Sequence, residues 1–323
     1  MVGVYRMHKP GAPSVMQWEE LDLPEPGPQE VRVKHTAIGL NYIDTYHRSG
    51  LYPLPLPSRL GVEAAGVVEA VGSEVSSLSL GQRVAYAGGL GAYAEATNMP
   101  ASRLVAIPDG VTDEVAAASL LKGLTTCYLL TRTYKVTADT TMLAHAAAGG
   151  VGLLLCQWAR HLKATVIGTV GSEAKAELAK ANGADHTILY QHEDVVARVR
   201  ELTDGKGVNV AYDSVGKSTY EWSLNSLAPL GMFVSYGNAS GNAPAVSPQD
   251  LQNKGSLFFT RPTLASYAAD PKDLNDMADE FFGLVSNGTI KVHVNQRYPL
   301  NELVQAHTDL EARITTGSTV ILP

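Results

Sequence analysis

Eight residues near the middle of the chain, "HAAAGGVG" from His145 to Gly152, carry the clearest chemistry in the sequence. Ala147, Gly149 and Gly152 follow the spacing of the dinucleotide fingerprint G-x-G-x-x-G, with alanine in the first glycine place. That chemistry needs a tight turn, backbone that can approach a pyrophosphate, and a helix N-terminus whose unpaired amides favour an anion. Gly149, Gly150 and Val151 are the expected phosphate-side residues, and Gly152 would let the helix pack closely on the preceding strand. The same letters also fit a corner without ligand, so the elements on either side have to decide.

The end of the next strand reads which nucleotide would bind. NAD-binding sheets usually carry an Asp or Glu about 20 residues beyond the glycines, to hold the ribose 2′-OH. Here the stretch is "TVGSEAK": Gly171 and Ser172 stand in the acid's place and Lys175 follows one helical turn on. A small residue, a hydroxyl and an ammonium suit a 2′-phosphate better than a diol. Glu173 is the competing feature, since a shift of one residue restores a carboxylate, and Lys175 also fits a solvated helix face. The expected cofactor is NADPH.

These residues need a strand before them and a helix after them, and the pattern supplies both. "TTMLAHA" reads as a buried strand, and Val151, Leu154, Leu155, Trp158 and Leu162 follow at helical spacing. "ATVIGTV" is a second strand, and "SEAKAELAKANG" is a helix with Ser172 as N-cap and Gly183 as its stop. "DHTILY", "VNVAYDSV" and "MFVSYGN" continue as strands separated by helical stretches. The alternation predicts an α/β fold with a doubly wound parallel sheet. Up to about Lys122 the pattern is instead β-like, with short alternating runs such as "EVRVKHTAIGL" cut by proline and glycine clusters. A helix around Leu274–Ser286, a strand near Val294–Tyr298, another helix and the strand "STVILP" close the chain.

Composition sets the outer bounds. Of 323 residues 45% are hydrophobic and 18% charged, enough apolar surface for packed cores. A net charge of −7, scattered rather than run into blocks, counts against nucleic acid or an anionic membrane surface as the main partner. No stretch reaches the roughly 18 uninterrupted apolar residues of a membrane span, and the N-terminus shows no signal-peptide h-region, so a cytoplasmic protein is expected. With only Cys127 and Cys156 a multi-cysteine zinc site is impossible, and the nine histidines form no ligand-like cluster.

Five stretches together carry a family resemblance: "GLNYIDTYHRSGLYP", "LGVEAAGVVEAVG", "AAAGGVG" followed by Gln157 and Arg160, "SYGNASG", and "FFTRPTL". Over essentially its whole length the chain resembles the zinc-independent quinone oxidoreductase (zeta-crystallin-like) family of the medium-chain dehydrogenases/reductases. The resemblance implies a GroES-like, mainly-β domain of residues 1–122 completed by 265–323, with a Rossmann domain, 123–264, inserted between them. It places Asn41, Asp44, Tyr46 and Tyr52 by the nicotinamide and the acceptor. Asn41 would orient the nicotinamide amide, and Tyr46 and Tyr52 would meet a quinone or simply cover the core. It assigns the cofactor groove to Thr126, Ser214, Val215, Tyr236, Gly237, Asn238, Phe258 and Phe259, with Tyr190 and Arg313 at the adenosine 2′-phosphate or its ring. It also implies a homodimer, with the apolar run "GSLFFTRPTL" as a pairing edge.

The departures from the zinc-dependent alcohol dehydrogenase branch are equally specific. Val62 stands in the histidine place of that branch's Gly-His-Glu motif, and Asn41 lies where a cysteine ligand is usual. Without a Lewis acid, reduction of an electron-poor acceptor is a better expectation than oxidation of a simple alcohol. The sequence therefore predicts an NADPH:quinone reductase. An NADPH-dependent reductase of enones or alkenals fits the same residues, and a non-enzymatic NADPH-binding or RNA-binding protein is the third reading.

Overall fold

The computed structural model describes all 323 residues. They fall into two compact units: Met1–Leu124, Ala268–Gly288 and Val292–Pro323 in the first, Thr125–Tyr267 and Thr289–Lys291 in the second.

The first unit opens with eight strands: β1 (Val2–Met7), β2 (Met16–Leu21), β3 (Glu30–Leu40), β4 (Ser58–Arg59), β5 (Glu63–Val71), β6 (Arg83–Ala87), β7 (Ala96–Pro100) and β8 (Val105–Ala106). In β3 the alternation seen in "EVRVKHTAIGL" becomes alternation of burial, with Val31, Val33, His35 and Ala37 turned inward. His35 is tolerated there because both ring nitrogens are engaged, Nδ1 with the Ala94 carbonyl at 2.7 Å and Nε2 with the Tyr86 hydroxyl at 2.9 Å. Burial lowers its pKa to about 4, so the ring is neutral.

Two helices lie in this stretch, where the sequence pattern led us to expect only strands: α1 (Tyr42–Ser49) and α2 (Asp113–Cys127). The tyrosines, Ile43 and Thr45 of α1 favour strands intrinsically. Its ends override them: Asp44 accepts from the Asn41 amide at 2.9 Å, and Gly50 takes the left-handed C-cap conformation at φ 85°. In α2, Thr112 Oγ1 accepts from the Val115 amide at 3.2 Å, and Asp113 and Glu114 complement the positive end of the dipole.

The second unit is β9 (Thr141–Ala144), α3 (Gly150–His161), β10 (Thr165–Val170), α4 (Glu173–Ala181), β11 (His186–Leu189), α5 (Val195–Leu202), β12 (Val208–Asp213), α6 (Tyr220–Ser226), β13 (Leu227–Ser235), α7 (Pro248–Asn253), β14 (Phe258–Thr260) and α8 (Leu264–Tyr267). Its six strands pair in the order β11-β10-β9-β12-β13-β14, every pairing parallel. The sheet grows outward from β9 in both directions. The ends of β9 and β12 therefore border the switch point at which open α/β sheets bind ligands. Leu143, Ile167, Ile188, Ala211 and Phe233 form the buried apolar centre.

The chain then returns to the first unit with α9 (Pro271–Ser286), β15 (Val294–Pro299), α10 (Leu303–Glu311) and β16 (Ser318–Leu322). β16 runs antiparallel to β3, with Thr319 opposite Leu40, and β15 pairs with β16. The tail thus closes the sheet that the N-terminal strands begin. No helix is long and apolar enough to cross a membrane.

Two glycines give a test of this packing. A Cβ on Gly152 would sit 2.3 Å from the Ala146 carbonyl oxygen and 2.7 Å from the Ala147 carbonyl carbon, whereas one on exposed Gly283 in α9 meets nothing within 4 Å. Gly152→Ala should destabilise by about 1–3 kcal/mol through overpacking. Gly283→Ala should stabilise by about 0.5–1 kcal/mol through helix propensity. Urea titrations giving the opposite order would contradict this account of how α3 sits on its strand.

Candidate active site

At the corner from β9 into α3 the left-handed residue is Ala146, at φ 53°, not a glycine. The Ala147 amide donates to the Thr169 carbonyl on β10 at 3.1 Å, and the Gly149 amide closes the turn on Ala146 at 2.9 Å. Gly149 is the N-cap of α3 and contributes no side-chain cap. The helical ladder starts with the Leu153 amide bonded to the Gly149 carbonyl at 2.9 Å, so the amides of Gly150, Val151 and Gly152 come before it. An uncapped helix start with glycine on its open side fits a pyrophosphate, as does the close seating that Gly152 permits.

Gly171 follows β10 and Tyr190 follows β11, and they meet: a Cβ on Gly171 would lie 2.6 Å from the Tyr190 hydroxyl. Ser172 caps α4, its Oγ accepting from the Lys175 amide at 3.4 Å. Glu173, the competing carboxylate, is exposed in the first turn of α4. Beyond β12 and β13, Ser214, Val215, Tyr236, Gly237 and Asn238 form one block. The Ser214 carbonyl receives the Ala239 amide at 3.2 Å, the Val215 carbonyl receives the Ser240 amide at 2.7 Å, and a Cβ on Gly237 would lie 2.4 Å from the Ser214 carbonyl oxygen. Asn238 and Phe259 also line a cavity of about 350 Å³ with Asn242 and Arg261. Phe258 instead stands on the edge strand, 55% exposed, and Thr126 is fully buried in α2.

Beneath these loops runs a polar chain that sequence reasoning missed. Asp213, fully buried at the end of β12, accepts from the Val215 and Gly216 amides at 2.8 and 2.9 Å. It also accepts from the hydroxyls of Thr219 and Ser223, each at 2.7 Å. His145 Nε2 lies 3.0 Å from Ser223 Oγ and its Nδ1 2.9 Å from Thr169 Oγ1. Since Ser223 gives its proton to the carboxylate, it must accept from Nε2–H, and Nδ1 must accept from Thr169. Burial lowers the His145 pKa, against the pull of Asp213, which fits a neutral ring. His145 thereby ties the start of the glycine corner to α6 and, through Ser223, to Asp213 at the end of β12.

In the first unit Asn41, Asp44, Tyr46 and Tyr52 do come together around α1. Asp44 Oδ2 accepts from the Asn41 amide and, at 2.7 Å, from the Tyr93 hydroxyl, which in turn lies 2.9 Å from His307 Nε2. Burial raises the Asp44 pKa to about 7, although Tyr93 and the Asn41 amide oppose it. The rings of Tyr42 and Tyr46 lie 5.7 Å apart and those of Tyr46 and Tyr52 5.2 Å, both edge to face. Arg313 belongs to this unit and hydrogen-bonds Tyr42.

Glu63 was not singled out from sequence, yet it is the hub of this cluster. Fully buried, it accepts from Asn41 Nδ2 and from the Leu121 amide, each at 2.6 Å, and lies 3.5 Å from Lys122 Nζ. Burial raises its pKa and Lys122 opposes that most strongly. Val62 offers no ligand atom, and no group of three or more His, Cys, Asp or Glu side chains is placed to hold a metal ion.

Two family models match, "Alcohol dehydrogenase GroES-like domain" over residues 27–109 and "Zinc-binding dehydrogenase" over residues 150–281. A quinone oxidoreductase of Pseudomonas aeruginosa is 58% identical, with 97% of each chain covered. A 2-haloacrylate reductase of a Burkholderia species is 45% identical, covering 100% of this chain and 99% of its own. The crystal structure of an Escherichia coli quinone oxidoreductase complexed with NADPH superposes with a TM-score of 0.97 at 48% identity, covering 99% of this chain and 100% of that one. The chain belongs to the medium-chain dehydrogenase/reductase superfamily and, within it, to the quinone oxidoreductases.

Proposed function

We propose that this protein reduces quinones with NADPH. The observation that carries the reading is the uncapped glycine corner at the start of α3, together with Gly171, Ser172 and Lys175 in the place of a ribose-binding acid. Its relatives support the same reading, one of them bound to NADPH.

Bound NADPH would supply the hydride, and the chain's own residues supply position. The backbone of Gly149, Gly150 and Val151 meets the pyrophosphate, and Ser172 and Lys175 hold the 2′-phosphate beside Tyr190. Ser214, Val215, Tyr236, Gly237 and Asn238 flank the ribose and nicotinamide, with Phe259 contributing to the same groove and Thr126, fully buried, packing behind it. Asn41 orients the nicotinamide amide, while Tyr46 and Tyr52 offer a hydroxyl and a ring face to the acceptor. Asp44 holds the start of α1 through its bond to the Asn41 amide. The acceptor is already electron-poor, so orientation does most of the work. A second reading, reduction of an activated alkene, is favoured by the similarity to a 2-haloacrylate reductase. Comparing kcat/KM for a quinone and an alkenal at equal NADPH separates the two.

The domains follow the same scheme, a GroES-like domain of residues 1–122 and 265–323 around a dinucleotide-binding domain of 123–264. Phe258 suits the pairing edge of a cytoplasmic homodimer better than the cofactor groove, because it stands exposed on the last strand of its sheet. Arg313 reads as a support for α1 through Tyr42.

Three outcomes test these points. Lys175→Ala should weaken NADPH binding by about 1–3 kcal/mol, the scale of a charged hydrogen bond, and leave NADH nearly unchanged in a fluorescence titration. Equal wild-type affinity for both nucleotides would sink the 2′-phosphate assignment. Activity should survive chelation, and stoichiometric zinc lost together with turnover would overturn a zinc-free reaction. Light scattering should return a dimer at micromolar concentration and a smaller species for Phe258→Asp; a wild-type monomer refutes the pairing edge.

A further inference from the structure

The Glu63 cluster contains a buried cation, the Lys122 ammonium. α2 brings both the Leu121 amide and the Lys122 ammonium to the Glu63 carboxylate. The approach is close enough that β3 must present glycine there: a Cβ on Gly39 would lie 2.1 Å from the Ala117 carbonyl oxygen and 2.4 Å from Glu63 Oε2. Lys122 is itself buried, and Glu63 Oε2 is shared between its Nζ and Asn41 Nδ2.

The charge of Glu63 decides which way the Asn41 amide points. An ionised carboxylate only accepts, so it must face the nitrogen of Asn41; Oδ1 then lies toward the Asp44 amide of the capping box and keeps its second lone pair for a ligand. A protonated Glu63 carries an O–H donor and can hold Oδ1 instead, turning the nitrogen outward. Desolvation favours the protonated form, and an adjacent ammonium favours the ionised one. We propose that Lys122 is a positioning residue that keeps Glu63 ionised and thereby fixes Asn41 as a hydrogen-bond acceptor toward its ligand. The group this recognises is an N–H donor such as the carboxamide of a nicotinamide ring, rather than a quinone oxygen, which has no proton to give. The inference rests on the NADPH reading above and adds the polarity of Asn41 and its cause.

The test uses equilibrium binding of NADPH and of its 3-acetylpyridine analogue, whose acetyl group keeps the carbonyl but lacks the N–H₂. Wild-type protein should bind NADPH roughly five- to tenfold more tightly than the analogue, as expected for one hydrogen bond. Lys122→Arg should keep that ratio. Asn41→Ala and the double variant Lys122→Met/Glu63→Gln should bring it close to one. The double variant removes both buried charges together, so that it leaves neither unpaired. Should it fail to melt cooperatively, Glu63→Gln alone, nearly isosteric, is read the same way. A folded Glu63 variant with the wild-type ratio overturns the proposal, as does a wild-type ratio near one. Failure of the wild type to bind NADPH at all would instead overturn the function proposed above.

Discussion

A carboxylate taken out of water must be supplied with donors or a cation, and the surroundings of Asp213 and Glu63 are organised by that demand. Asp213 meets it with two backbone amides and two hydroxyls. Those bonds shape the turn after β12, and through Ser223 and His145 they reach the residue that opens the glycine corner. Glu63 meets it with one amide, the Asn41 side chain and Lys122. The residues that would touch ligand are held by groups that do not. A half-satisfied network of this kind would be worse than an apolar core, so its members are fixed together.

The glycine corner shows how backbone shape and electrostatics divide the labour. Ala146 accepts the left-handed conformation that turns the chain, Gly152 allows α3 to seat on the Ala146–Ala147 peptide, and Gly149 begins the helix without a side chain in front of it. The alanine in the first place of the fingerprint is buried and faces Gly168 on β10, where a second Cβ would come within 2.6 Å of its own. The substitution at one position is thus accommodated by a glycine on the neighbouring strand.

Much of the parallel sheet was legible because its signals are local: apolar runs of strand length, Ser172 before α4, Gly183 after it, and glycines at fingerprint spacing. α1 and α2 were not, for different reasons. The Asn41–Asp44 cap of α1 sits among residues that prefer strands, and α2 begins where the proline-rich strands had set the rhythm. Glu63, Lys122, Asp213 and His145 escaped notice because their roles depend on distant partners. Glu63 meets Leu121 across 58 positions and His145 meets Ser223 across 78. No spacing rule links them. Arg313 was expected at the adenosine end on resemblance, and its contact with Tyr42 is likewise invisible without the fold.

On the function proposed above, the corner at the head of α3 holds a dinucleotide. Calorimetric titration of Gly150→Val with NADPH tests it most directly. A branched side chain at the first residue of the helix obstructs the approach of a pyrophosphate, while Gly150 itself is only half-buried and adds little to the core. Binding should be lost while the ligand-free protein still melts cooperatively, only modestly below the wild type, and NADPH should raise the wild-type melting temperature. Full NADPH affinity in Gly150→Val would contradict it and leave the corner a structural turn.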